Sequence, residues 1–216
     1  MPAADRATFT TDVVAKLEAM VTETKPIEDR IAAACKSPDD TVAPWCGELG
    51  DGIAVVRNRA DHTAHLYRSI LAQADAHATA RSIEPDALLQ ARLFPDMFPL
   101  SKQVQIAADF ARGVSARLAG VEVPAYEGKE ASFAELDALL ARTLAFLGSV
   151  NAAQFEGSDS KEIVLRPGTP KEKKLSGQAY LANYGLPQFF FHVTTAYDIL
   201  RHNGLPIGKR DYMGAY

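Results

Sequence analysis

The stretch PLSKQVQIAADFARGVSARLAG, Pro99 to Gly120, decides the fold class. Leu100, Val104, Ala107, Ala111, Val114 and Leu118 recur at three- and four-residue steps, the period that places side chains on one face of an α-helix. Pro99 suits a first turn, where its missing N–H costs nothing, and Gly120 can end the helix. An inner stripe of this length needs other helices to cover it. The neighbouring sequence supplies them.

Towards the C-terminus, Val121 to Lys129 reads as a linker. Ser132 with Glu135 three residues later is a capping box for the next helix, whose core face carries Leu136, Leu139, Leu140, Leu144 and Leu147. Lys161 to Arg166 predicts a strand, Pro167 to Pro170 a turn, and Lys171 to Leu175 a returning strand, together a small hairpin serving as a lid. The last helical region starts near Ser176, is kinked or restarted at Pro187, and carries Phe189, Phe190, Phe191, Val193, Ala196, Ile199 and Leu200. It is apolar around most of its circumference, so other helices should surround it. Asn203-Gly204 supplies its stop.

Towards the N-terminus, Phe94 to Pro99 is a rigid corner, because each proline restricts itself and its predecessor. Asp96 there is expected to cap the following helix. Gly52 to Ala80 reads as another long helix, and Phe9 to Ala34 as an amphipathic one bent at Pro26, with a Pro/Gly/Asp-rich loop over Lys36 to Asp51. The expected fold is all-α: a four-helix up-and-down bundle over residues 51–216, with a small β-hairpin before its last helix. Residues 1–50 form an additional N-terminal helix and loop, either docked as a fifth element or used as an oligomer contact.

Charged residues make up 23% of the 216 and the formal net charge is −4, which fits a folded domain and gives no basic stripe for nucleic acid. The densest basic run, Lys171, Lys173 and Lys174, contains Glu172 and reads as a solvated loop tip. No apolar run spans a bilayer and residues 1–11 lack a signal-peptide core, so the expected location is the cytoplasm, with no membrane partner. The two cysteines, Cys35 and Cys46, are too few for a disulfide framework and read as thiols.

The segments Ala91 to Leu100 with Gln103 to Ala107, then Phe191-His192-Val193-Thr194-Thr195-Ala196-Tyr197, Ile199 to Gly204 and Lys209-Arg210-Asp211, resemble the family of uncharacterised proteins DUF1993, in register from about Asp61 to the C-terminus. That family is similar to the DinB/YfiT-like superfamily. The resemblance implies a four-helix bundle, often a homodimer, in which many members hold a divalent metal with three histidines and some act as thiol transferases or hydrolase-like enzymes. It implies one histidine early in the second bundle helix and a His-x-x-x-His pair on the fourth. Here the fourth helix has Gln188 and His192 at the i, i+4 spacing, and the helix after Pro99 has no histidine, only Gln103 and Asp109 as polar candidates. Carboxamides are weak ligands, so the three-histidine metal site is incomplete and His192, Gln188 and Gln103 are weak candidates for it.

His192, in an apolar helix, is the candidate catalytic residue, as a general base or an orienting group, against the alternative of a buried neutral histidine bonded to a carbonyl. Gln103, Gln188, Asp109 and Tyr197 are candidate polar contacts to a ligand, with Met97, Phe98 and Phe190 as walls. His62, His65, His77 and His202 read as surface or helix-end residues, and Tyr184 and Tyr197 as core aromatics whose hydroxyls could reach a cavity. Two functions fit these residues. One is a small-molecule-binding protein or enzyme with a bundle-core pocket at His192. The other is a non-catalytic dimer whose Gln103, Gln188 and His192 are locked together in a filled core. The first is favoured because polar groups in an apolar helix cost stability unless something offsets them.

Overall fold

The computed structural model describes residues 67–214, all within the unit that spans 53–216. The helix expected over Phe9 to Ala34, the loop after it, both cysteines, His62 and His65 lie outside the described residues.

Helix α1 covers 67–80, and Ser82, at φ 52°, turns the chain after it. A short helix α2, Pro85–Leu89, starts on its proline and buries Leu88 and Leu89. The corner comes next, and α3, Leu100–Ala119, begins directly after Pro99. Asp96 does not cap it: Pro99 is the N-cap residue, no side chain bonds there, and Gln103 N–H reaches Pro99 O at 3.0 Å. Gly120 ends α3 in the left-handed conformation at φ 74°.

Helix α4, Phe133–Ser149, opens as its capping box predicts. Ser132 Oγ accepts from Glu135 N–H at 3.2 Å, while Glu135 Oε2 accepts from Ala131 N–H at 2.7 Å. A 3₁₀ turn, Ala152–Phe155, leads into an antiparallel hairpin of β1, Glu162–Leu165, and β2, Lys173–Ser176, with Ile163 opposite Leu175 and Val164 opposite Lys174. Ser176 then caps α5, Gly177–Tyr180, through Ala179 N–H at 3.2 Å. The chain widens into a π-helical turn, Leu181–Gly185, before α6, Leu186–His202, and finishes in α7, Lys209–Met213.

The protein is thus mostly helical with one two-stranded sheet among the described residues. No described helix is long and apolar enough to cross a membrane. Helix α3 packs most extensively on α6 and next on α4. One core joins Ile70, Leu71 and Ala74 of α1, Leu100 and Val104 of α3, Leu136 and Leu147 of α4, and Ala196 and Ile199 of α6. A second, smaller core under the hairpin gathers Val114, Leu118, Phe155, Ile163 and Tyr180.

Arg68 clamps α1 to α4 through a two-pronged contact with Asp137, Nε to Oδ1 at 2.6 Å and Nη2 to Oδ2 at 2.8 Å. The guanidinium holds the Asp137 carboxyl below its ordinary pKa. A depressed carboxylate stabilises the fold above its unfolded pKa and loses that contribution as pH falls through the folded value. Both side chains are over a third exposed, so solvent screens the pair. Asp137→Asn is therefore expected to cost at most about 1 kcal/mol in low salt. Thermal melts at pH 7 and pH 3 check this; a difference that persists undiminished at the lower pH contradicts it.

Candidate functional site

Gln103 and His192 both stand on apolar stripes, which is why the fold buries them. Gln103 lies one turn from Leu100 and Ala107 on α3 and is 1% exposed; His192 lies between Phe189 and Ala196 on α6 and is 7% exposed. The closest-packed helix pair therefore brings the two side chains together, with Gln103 Oε1 and His192 Nδ1 2.7 Å apart. Gln103 Nε2 donates to Phe98 O at 3.0 Å. That second bond settles the chemistry of the first. A carbonyl can only accept, so the amide nitrogen faces Phe98 and the amide oxygen faces the ring. His192 Nδ1 must then carry the proton and donate it.

Burial lowers the His192 pKa from its ordinary value, so the ring is held neutral and Nε2 keeps its lone pair. Nε2 makes no hydrogen bond among the described residues. Nε2 is not among the fully enclosed side-chain atoms that lack a hydrogen bond there, so it retains contact with solvent. Phe110 stacks on the imidazole with centroids 6.1 Å apart and planes 15° apart, and Phe191 meets it edge-on at 5.2 Å. The arrangement is an oriented, neutral imidazole with one free basic nitrogen, the state a proton acceptor requires.

The other candidates read from the sequence are distributed around this pair. Gln188 is half-buried one turn before His192 and bonds neither His192 nor Gln103 among the described residues. Met97 is half-buried in the corner, its carbonyl accepting from Arg92 Nη1. Phe98 and Phe190 are exposed, Phe190 resting edge-on against Phe189 at 5.3 Å. Tyr197 meets Tyr212 of α7 edge-on at 5.5 Å. Asp109 is exposed, its carboxylate 2.6 Å from Arg112 Nη1. Arg112 in turn donates to Pro124 O at 2.9 Å and lies over the Tyr126 ring at 4.1 Å, pinning the linker between α3 and α4.

The three-histidine metal site that the resemblance implies does not fit these donors. The described residues bring one imidazole to the place, Gln103 has both polar atoms engaged, and no group of three His, Cys, Asp or Glu among them could hold an ion.

Sequence reasoning missed Phe110, which is half-buried and shared between His192 and Tyr184, their rings 5.8 Å apart in the latter pair. Its place three residues after Ala107 on the α3 stripe was the available signal. The π-helical turn that carries Tyr184 also gave no sign in the sequence.

The match to a known family model, described as "Domain of unknown function (DUF1993)", runs over residues 55–213. No curated protein matches the chain. Among solved structures, a DinB family member protein from Shewanella denitrificans is similar at 35% identity and a TM-score of 0.72, over 79% of this chain and 94% of that one. The chain belongs to the DUF1993 family and is DinB-like.

Proposed function

We propose that this protein is a small-molecule-binding protein or enzyme in which His192 Nε2 is the working group, a proton acceptor held by Gln103. The observation that supports it is the relay from His192 Nδ1–H through the Gln103 amide to Phe98 O, which spends the polar capacity of Gln103 on orienting one ring. A histidine buried only for packing would also bond its N–H, so the reading leans on Nε2, which has no hydrogen bond among the described residues and keeps contact with solvent. Met97, Phe98 and Phe190 then wall the approach, and Gln188 offers a polar contact one turn away. On this reading α1, α3, α4 and α6 are the four members of an up-and-down bundle in a domain over 51–216, with 1–50 as an extension; their shared core supports it.

Long-range ¹H–¹⁵N spectra of the imidazoles test the proposal. His192 is expected to be neutral at pH 7 with the proton on Nδ1, and diethyl pyrocarbonate is expected to acylate its Nε2. An Nε2–H tautomer, or no acylation of His192 in the folded protein, defeats it. Elemental analysis of the untagged protein and of His192→Ala is expected to give metal well below one equivalent in both. A full equivalent that vanishes in the variant reinstates the metalloenzyme reading.

One observation favours a second reading, a dimer with a structural core. Leu93, Phe94, Phe98, Phe190 and Phe191 are large, apolar and exposed, at the corner and on α6. Such residues are costly in water and often mark an interface. Light scattering on wild type and on Phe94→Ser with Phe191→Ser separates the readings: a dimer that the substitutions dissociate, with His192 inert to the acylating reagent, supports the structural one.

A further inference from the structure

A cleft of about 520 Å³ opens between α3, the hairpin and the π-helical turn, and His192 is not in its wall. Its size is within the range of small-ligand sites, roughly 300–1,000 Å³. One side is aromatic: Phe110 meets Tyr184 edge-on at 5.8 Å, and Tyr184 stacks on Tyr180 at 5.8 Å with planes 23° apart. The other side is cationic. Arg117 Nη1 donates to Gly113 O at 3.0 Å and lies 3.3 Å from Tyr180 Oη, both uncharged partners. Arg166 forms no ion pair among the described residues, and neither does Arg117. The acidic residue in the wall, Asp109, already has its carboxylate on Arg112. Arg117 and Arg166 therefore both stand in the wall of one partly apolar cleft, and the carboxylate in that wall, Asp109, is paired with Arg112.

The backbone at Arg166 points the same way. Its φ is 52°, a left-handed conformation uncommon outside glycine, and it precedes Pro167, which disfavours departure from extended backbone still further. Thr169 holds it there, with N–H and Oγ1–H both donating to Arg166 O at 3.2 and 2.9 Å. Strain of this kind persists where the surrounding structure over-determines it, and it accumulates at ligand clamps.

We infer that this cleft is a binding site for a small aromatic oxyanion, a carboxylate or phosphate ester carried on a flat ring. The acid group would lie between Arg117 and Arg166, whose forked donors match two oxygens at once, and the ring against Phe110 and Tyr184.

Titration of the full-length ¹⁵N-labelled protein in low salt tests this with four probes: benzoate, phenyl phosphate, benzamide and inorganic phosphate. Benzoate or phenyl phosphate is expected to shift the amide signals of Phe110, Tyr184 and Arg166 saturably; whichever binds tighter identifies the preferred acid group. Benzamide is expected to bind about tenfold more weakly, the loss that goes with a charge-assisted hydrogen bond. Inorganic phosphate, which cannot use the aromatic wall, should also be weaker. Arg166→Gln, at an exposed turn, should weaken the better probe by a similar factor with an unchanged melting temperature. Arg117→Gln should do the same, with Arg166→Gln alone deciding the matter if the loss of the Tyr180 contact lowers stability. The inference fails if neither aromatic acid binds, if benzamide or inorganic phosphate binds as well as they do, or if Arg166→Gln leaves affinity unchanged.

Discussion

Gly177→Ala is expected to destabilise the protein by about 3 kcal/mol or more, at or beyond the upper end of ordinary overpacking. A β-carbon at this position would stand 1.7 Å from Ser158 O, 2.8 Å from Ser158 C and 3.1 Å from Leu118 Cδ2. The nearest two atoms are backbone, so no rotamer change relieves the clash. Nor can the two segments separate cheaply. Gln178 N–H donates to Asp159 O at 2.9 Å, and Ser158 N–H to Phe155 O at 3.0 Å, so the same few residues are bonded across the contact and behind it. Glycine is required here for space, since its backbone is in no left-handed conformation. Parting the segments would also loosen the small core of Val114, Leu118, Ile163 and Tyr180, on which the hairpin rests. Gly148→Ala is the control: no neighbouring atom lies within 4 Å of its β-carbon and it sits inside α4, where alanine is favoured by about 0.5–1 kcal/mol. Urea denaturation of the two variants checks the contrast. A midpoint for Gly177→Ala close to that of Gly148→Ala would show that the chain can open at Ser158 without loss.

Much of the helix framework is legible in the chain because its signals are local. Pro99, Gly120 and the Ser132/Glu135 box each act within one turn, and the apolar stripes of α3, α4 and α6 are set by a fixed period. The hairpin is equally local, with Gly168 at φ 72° in a turn where only glycine is unstrained. What the sequence does not disclose depends on how helices are rotated against each other. In isolation Asp96 reads as a helix cap and Asp109 as a polar contact to a ligand. In the fold, Asp96 makes no cap, and Asp109 turns outward to Arg112, three residues further along its own helix. The π-helical turn is another such case. Within it Gly185 lies so close to α3 that a β-carbon would stand 2.7 Å from Val114 Cγ2. No local pattern encodes that approach. His192 and Gln103 are each recognisable as polar residues on apolar stripes, but their 2.7 Å contact spans 89 residues of sequence and results from the crossing of α3 and α6.

Gln103→Leu is expected to cost about 1–3 kcal/mol, because it leaves a buried N–H and a carbonyl without partners while preserving volume. The same substitution alters the pH response. In the wild type, burial lowers the His192 pKa below its unfolded value, about 6.5. Above that pH both states are neutral and the histidine has no linkage effect. As pH falls through it, the unfolded chain binds a proton that the folded chain refuses, so stability declines and levels off only below the folded pKa. Leucine keeps this sign, since it adds no charge to hold an imidazolium. Gln103→Glu reverses it. A carboxylate accepting from Nδ1–H favours the charged ring and raises its pKa, so the contribution of the pair is present at low pH and is lost as pH rises through the folded value. Chemical denaturation of the three proteins between pH 5 and pH 8, alongside the His192 ¹⁵N shifts, measures both effects. Opposite slopes for the glutamate and leucine variants mean that residue 103 sets the proton affinity of the ring, the property on which a catalytic His192 depends. Equal slopes and unchanged ¹⁵N shifts would reduce Gln103 to packing and remove the support for a basic Nε2.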